Sequence, residues 1–229
     1  MMRMNKYISA NFGVSRRKAD EWIEKGYVIL NGKKVTEQGI RVGESDTLEI
    51  VQEAHEEKSE FKYFLLNKPV GYVCTRSSDE GKNIFELLPP IPDLSYAGRL
   101  DKESHGLIIV SNDGKFVYNV AGSEFEKVKT YVVKLDMPIT DFDLDIMQNG
   151  MLIGGKMTKE ARVERININK FSIELTEGIN RQIRRMCRTL GYHVRDLKRV
   201  DIHGISDDTL SEGYWRELTQ DEMKKILEK

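Results

Sequence analysis

Three segments of the chain carry side chains able to do chemistry. The first, Ala97-Gly98-Arg99-Leu100-Asp101-Lys102-Glu103-Ser104-His105-Gly106, sets a carboxylate in a polar loop bounded by glycines, directly before the apolar run 107–110. Loops at strand ends are where a rigid scaffold can hold a reactive group, and a carboxylate there can act as nucleophile or proton acceptor. The plainer reading of Gly-Arg-Leu-Asp on its own is a turn aspartate bonded to nearby backbone or paired with Arg99. In the second segment, Arg181, Arg184, Arg185 and Arg188 recur at i, i+3, i+4 and i+7, one face of a helix, while Ile183, Met186, Cys187 and Leu190 occupy another. A solvated face is the ordinary fate of such a run. Four arginines with no acid among them repel one another, however, and suit a phosphate partner. The third segment, Lys129-Thr130-Tyr131-Val132-Val133, places a tyrosine on a strand, where it is usually a packing residue. Its alternative is a stacking platform for a base.

Other chemistries lack their signatures. There is no Walker loop, no GxGxxG after a strand and no HExxH, and His55, His105, His193 and His203 do not cluster. Neither a metal nor a cofactor is expected. Cys74 and Cys187 form no CxxC pair and are expected to be reduced. Hydrolysis of a glycoside requires a second positioned carboxylate, for which Glu103 is the neighbour in sequence.

The charge of the 229-residue chain is close to balanced, 36 Lys+Arg against 37 Asp+Glu, but it is unevenly spread. Arg3, Lys6, Arg16, Arg17 and Lys18 all precede the first acid, Asp20. Residues 51–60 carry four glutamates and one lysine, residues 178–200 seven Lys+Arg and one Asp, and residues 201–229 eight acids and four bases. Neutrality is therefore the cancellation of two basic islands by an acidic linker and an acidic tail, and a local basic island is the electrostatic footprint of a nucleic-acid binder. Mean hydropathy is −0.49. No segment is apolar enough to span a bilayer and the N-terminus lacks a signal-peptide core, so no membrane partner and a cytoplasmic location are expected.

The elements that must position these groups can be read from pattern. At ~150 residues per domain the length allows one large or two smaller domains. Residues 1–50 read as a small unit: a short helix from Lys6, a helix capped by Ser15 and stopped at Gly26, then two strands around Asn31-Gly32. Residues 51–60 read as a solvated linker on which that unit swings. Residues 61–229 are strand-rich: 61–67 and 72–75 around Lys68-Pro69-Val70-Gly71, a buried strand at 107–111, an alternating one at 129–136, and a pair at 161–166 and 171–176. Helices are expected from Asp113 to Ala121, from Thr140 to Asn149 and over 180–190. This irregular order predicts an α+β fold with a mixed or antiparallel sheet.

Taken together, GRLDKESHGLIIVSNDG, EGINRQIRRM and the KTY strand resemble the ribosomal pseudouridine synthases of types A (small-subunit) and B, E and F (large-subunit). Ser104 stands where that family usually has Thr. NRQIRRMC, GYHVRDLKRVDI and GYWRELTQDE are most similar to the F type, which acts on 23S rRNA, and MNKYISANFGVSRRKADEWIEKGYVILNGKKV resembles the S4 RNA-binding module. The resemblance implies an isomerase acting on a uridine of 23S rRNA, and on a tyrosine tRNA in some members. It implies Asp101 as the essential carboxylate, Arg99 as the residue entering the RNA stack, Tyr131 stacked on the flipped base and Arg184 paired with the carboxylate. Arg3, Lys6, Arg16, Arg17, Lys18, Arg181, Arg185 and Arg188 are then the candidate RNA contacts of what is expected to be a monomer. The competing reading is a non-catalytic S4-type RNA-binding or ribosome-assembly protein, which Asp101→Asn would leave unharmed.

Overall fold

A computed structural model of the protein describes residues 1–43, 45–52, 54, 60–75, 77, 81–122 and 126–228. The chain opens with β1 (Met2–Arg3), α1 (Met4–Phe12) and α2 (Arg16–Glu24), then β2 (Val28–Leu30), β3 (Lys33–Val35), β4 (Arg41–Val42) and β5 (Leu48–Ile50). α2 begins where its cap directs: Ser15 Oγ accepts from the Lys18 amide at 3.1 Å. Asn31 and Gly32, at φ 51° and 75°, supply the two left-handed positions that a tight hairpin turn requires between β2 and β3. β5, too short to show alternation, pairs with the other edge of β2 and makes the hairpin a three-stranded sheet. Met4, Ile8, Trp22, Ile23 and Val28 close a core of their own.

The larger unit runs β6 (Tyr63–Lys68), β7 (Ser95–Ala97), β8 (His105–Ser111), α3 (Gly114–Ala121), β9 (Lys129–Leu135), α4 (Asp141–Gln148), β10 (Leu152–Ile153), β11 (Lys156–Met157), β12 (Arg162–Asn167) and β13 (Lys170–Leu175). It continues with α5 (Gln182–Thr189), β14 (Val194–Ile202), β15 (Ile205–Ser206), β16 (Trp215–Glu217) and α6 (Gln220–Leu227). Among the described residues nine strands form one mixed sheet in the order β12-β13-β9-β14-β8-β6-β16, with β15 on β14 and β7 on β8. The pairing is antiparallel except between β14 and β8, which run parallel through just Lys198↔His105 and Arg199↔Gly106. β8 is apolar throughout its middle because both faces are covered. Leu107 and Ile109 pack with Phe116 of α3 and Ile226 of α6, while Ile108 and Val110 pack with Phe64, Ile84 and Leu94. A third core, under α4 and α5, gathers Val133, Phe171, Met186 and Leu197.

Three expectations are corrected. Residues 72–75 do not pair with β6, whose two edges are taken by β8 and β16; among the described residues their ladder contact is a single bridge, Val73↔Asn83. α5 starts at Gln182, not residue 180, because Arg181 sits at φ 52° and cannot continue a right-handed helix backwards. The N-terminal unit is docked: α1 lies against α3, Ser15 Oγ donates to Asp93 Oδ1 at 3.2 Å, and the Lys6 ammonium lies 5.1 Å from the centre of the Tyr118 ring. Linker residues 53 and 55–59 lie outside the described residues. No helix among the described residues is long and apolar enough to cross a membrane.

Candidate active site

The segment between β7 and β8 carries Asp101, and the structure fixes that segment from both ends. Gly98 turns the chain out of β7 at φ 76°. Leu100, 6% exposed, plugs into the core beside Phe64 and Ile108. The Asp101 carbonyl accepts from the Ser104 amide at 3.0 Å, closing a tight turn. Beneath it lie two buried cations. Lys68, at the end of β6, donates Nζ to the carbonyls of Ser104 (2.7 Å) and Pro69 (2.9 Å). Arg199 of β14, 1% exposed, donates Nε to the Leu107 carbonyl at 2.6 Å and Nη2 to the Gly98 carbonyl at 3.3 Å. Among the described residues neither has a carboxylate within ion-pairing distance.

From the far side of the sheet join, α5 and the residue that caps its start bring two arginines to the same loop. Arg184 donates Nη2 to Ser104 Oγ (3.0 Å) and to the Glu103 carbonyl (3.1 Å). Its Nε faces Asp101 Oδ2 at 3.8 Å and is buried without a hydrogen bond among the described residues. Arg181 reaches Asp101 Oδ2 at 3.4 Å and Glu103 Oε2 at 3.0 Å. The hydrogen bond from Arg181 holds the Glu103 carboxyl below its usual range and raises the guanidinium in return. Asp101, its side chain 28% exposed, is thus a carboxylate with two guanidiniums beside it and an open side.

Tyr131 supplies the opposite wall. It lies on β9, directly across from Arg199 in register, half-buried between the core under α5 and the core of Phe64, Ile84 and Ile108. Two residues earlier on the same strand face, Lys129 donates to the Lys127 carbonyl at 2.9 Å. Burial first, and then the neighbouring Arg199 charge, push its ammonium down to about 8. Arg99, exposed, completes the rim of a cavity of about 790 Å³ that Asp101, Tyr131, Lys129, Arg184 and Arg199 also line. That volume lies in the range of small-ligand sites and accommodates a nucleoside. Burial pushes the Cys74 thiol upward and that of Cys187 to about 12, so neither thiol is poised to react.

The expected four-arginine face therefore divides. Arg181 and Arg184 turn to the loop, the Arg185 guanidinium packs on Gly154 in the β10–β11 turn, and Arg188 faces solvent. Of the N-terminal cations, Arg3, Arg16 and Arg17 are exposed, with Arg16 Nη2 donating to Asn5 Oδ1 at 3.2 Å, while Lys18 pairs with Glu21 at 3.1 Å. Reading by pattern misses Lys68 and Arg199. Lys68 looks like part of a turn, and the signal for Arg199 is its parity with Leu197 on β14, which sends both side chains inward.

A mixed sheet with an aspartate loop at the parallel join of β8 and β14, arginines converging on it and a tyrosine-walled cavity, preceded by a small helix-and-hairpin unit, defines an enzyme that acts on a nucleoside within RNA. The chain belongs to the RNA pseudouridylate synthase family, whose model matches residues 62–189, and carries an S4 domain over residues 2–48. It is accordingly an isomerase. It is 39% identical over 224 residues to the dual-specificity RNA pseudouridine synthase RluF of Escherichia coli K12, covering 97% of this chain and 77% of that protein. It is 36% identical to the ribosomal large subunit pseudouridine synthase B of Bacillus subtilis (99% and 96% covered) and 31% identical to the ribosomal small subunit pseudouridine synthase A of Haemophilus influenzae (99% and 100%). A crystal structure of a pseudouridylate synthase superposes with a TM-score of 0.73 at 30% identity, covering 99% of this chain and 100% of that one.

Proposed function

We propose that the protein isomerises one uridine of large-subunit (23S) rRNA, with a tyrosine tRNA as the candidate second substrate, and that Asp101 is its essential carboxylate. The observation that carries the reading is the meeting of Asp101 with Arg184 and Arg181 at the mouth of a nucleoside-sized cavity walled by Tyr131. The names of the relatives in Escherichia coli and Bacillus subtilis, a dual-specificity and a large-subunit enzyme, support the choice of substrate. The measurement that tests it is carbodiimide mapping of pseudouridine in large-subunit rRNA from cells with and without the protein: one signal is expected to vanish, and an unchanged map overturns the rRNA assignment.

The reaction breaks the bond from N1 to C1′, turns the uracil and rejoins it through C5, which gives up its proton while N1 gains one. No electrons are exchanged. Two routes begin at Asp101: attack of its carboxylate on C1′, or removal of the C2′ proton to leave a glycal. In both, the target must leave the RNA stack, since C1′ and the base edge are shielded inside it. Arg99, projecting from the rim, takes the vacated place in the stack, and the base lies on Tyr131. Arg184 holds the carboxylate in place through the backbone and Ser104 Oγ of the same loop.

The S4 domain grips RNA through phosphate contacts from the exposed Arg16 and Arg17, with Arg3, Lys6 and Lys18 around them and Arg185 and Arg188 on the catalytic unit. Arg16→Glu combined with Arg17→Glu is expected to raise KM for rRNA about tenfold or more at low salt and to flatten the salt dependence of binding, with kcat within about twofold. Steady-state kinetics at several salt concentrations read both, and a fall in kcat alone would count against this division of labour.

A further inference from the structure

Arg199 and Lys129 are cations on the Tyr131 face of the sheet, and among the described residues neither has a carboxylate within ion-pairing distance. Arg199 spends Nε and Nη2 on the carbonyls of Leu107 and Gly98, and its Nη1 makes no hydrogen bond among the described residues. Among the described residues Lys129 has one acceptor, the Lys127 carbonyl, which leaves two of its three N–H groups unspent there. The two heads lie side by side under Gly98: a Cβ there would sit 3.6 Å from Arg199 Nη1 and 3.8 Å from Lys129 Cε. Both line the cavity. Arg199 stands across from Tyr131 in register and Lys129 two residues before it, so all three share one face of the sheet. Spare N–H groups of two charged side chains on the wall of a cavity are ready donors for an acceptor that enters it.

We propose that Arg199 and Lys129 form a carbonyl-oxygen subsite for uracil, holding one exocyclic oxygen of the bound base and taking up the negative charge that develops on the ring as the N1–C1′ bond breaks. The inference rests on the reading of Tyr131 as the platform for the flipped base. When that bond breaks its electron pair stays with the uracil, and the charge spreads from N1 onto O2 and O4. Two cations at a fixed oxygen then bind the departing ring more strongly than the intact base, the differential that lowers a barrier. The symmetry of uracil fits such a site. A half-turn about the axis through N3 and C6 exchanges N1 with C5 and, at the same time, O2 with O4. The turn that brings C5 to C1′ thus returns a carbonyl oxygen to the same donors. After C5 bonds to C1′, the C5 proton leaves and N1 takes one from water, so the site releases a neutral base. A backbone phosphate is the other anion an RNA offers, but Arg199 is 1% exposed and faces the cavity beside Tyr131, where the flat base is proposed to lie, and phosphates stay with the solvated backbone.

The test uses the full-length protein with Lys129→Met and Lys129→Arg, because loss of Arg199 would orphan two buried carbonyls and could unfold the loop. Single-turnover release of tritium from [5-³H]uridine-labelled 23S rRNA transcript is measured beside RNA affinity and thermal melting. Lys129→Met is expected to slow release about 100-fold with affinity within about threefold, and Lys129→Arg to recover most of the loss. Transcripts carrying 2-thiouridine or 4-thiouridine, whose sulfur accepts hydrogen bonds poorly, should slow the wild type about tenfold and Lys129→Met hardly further. A folded Lys129→Met enzyme at the wild-type rate, or equal thio effects in both proteins, overturns the subsite and leaves the pseudouridine assignment standing. A wild type that releases no tritium brings down that assignment and the subsite with it.

Discussion

Asp101→Asn is expected to lower tritium release from uridine-labelled rRNA by at least about 10³-fold while leaving RNA affinity within about threefold. The substitution keeps the shape of the side chain and removes its charge and its nucleophilic and basic oxygen. The loop does not depend on that carboxylate: its turn is closed by the Asp101 carbonyl on the Ser104 amide, and Leu100 anchors it in the core. Arg184 keeps Ser104 Oγ and the Glu103 carbonyl, and Arg181 keeps the Glu103 carboxylate. The loss would therefore be chemical. Filter binding and single-turnover release, measured on one preparation, separate the two, and an active Asp101→Asn enzyme would require another group to open the glycosidic bond.

Gly106→Ala is expected to damage the catalytic unit severely for a change of one methyl group. Gly106 sits at φ 107°, a conformation that L side chains rarely adopt, and a Cβ there would overlap the Arg199 carbonyl and lie 2.6 Å from the Arg199 amide nitrogen. These are backbone atoms of the facing strand, so nothing can rotate away. Backbone strain and overpacking together put the cost at roughly 3 kcal/mol or more, read as a lower urea midpoint at constant m. Activity should fall as well, because the displaced Arg199 is the residue that holds Gly98. A stability within about 1 kcal/mol of wild type, the size of an ordinary surface change, would mean that the two strands have room to part.

Much of the fold is legible locally. Ser15, Asp113 and Thr140 each cap the helix that follows, and Asn31-Gly32 makes its hairpin. What is not legible is set by partners distant in sequence. Residues 72–75 look like a strand and lack an edge to join, because β16, far along the chain, has taken it. The arginine run looks like a uniform anionic-ligand face, yet Asp101 and Glu103 draw two members to their loop. In the site, the types of Asp101, Tyr131 and the arginines are readable from pattern and resemblance. The buried pair Lys68 and Arg199 is not, since a charged residue on a strand or turn is ordinarily solvated, and only the tertiary fold reveals that backbone carbonyls await it.

The parallel join of β8 and β14 has one more consequence. It is two residues long, and the elements it unites are held by different cores: the Asp101 loop rests on the core of Phe64 and Ile108, while α5 with Arg181 and Arg184 rests on that of Val133 and Met186. The proposed site is therefore assembled where two packing units meet, tied by that ladder, by the Arg199 hydrogen bonds to Leu107 and Gly98 and by Tyr131, which touches both cores. An excursion that parted this join would separate carboxylate from arginine without either core having to unfold, and the free energy of keeping the proposed site assembled would then be smaller than that of keeping the chain folded.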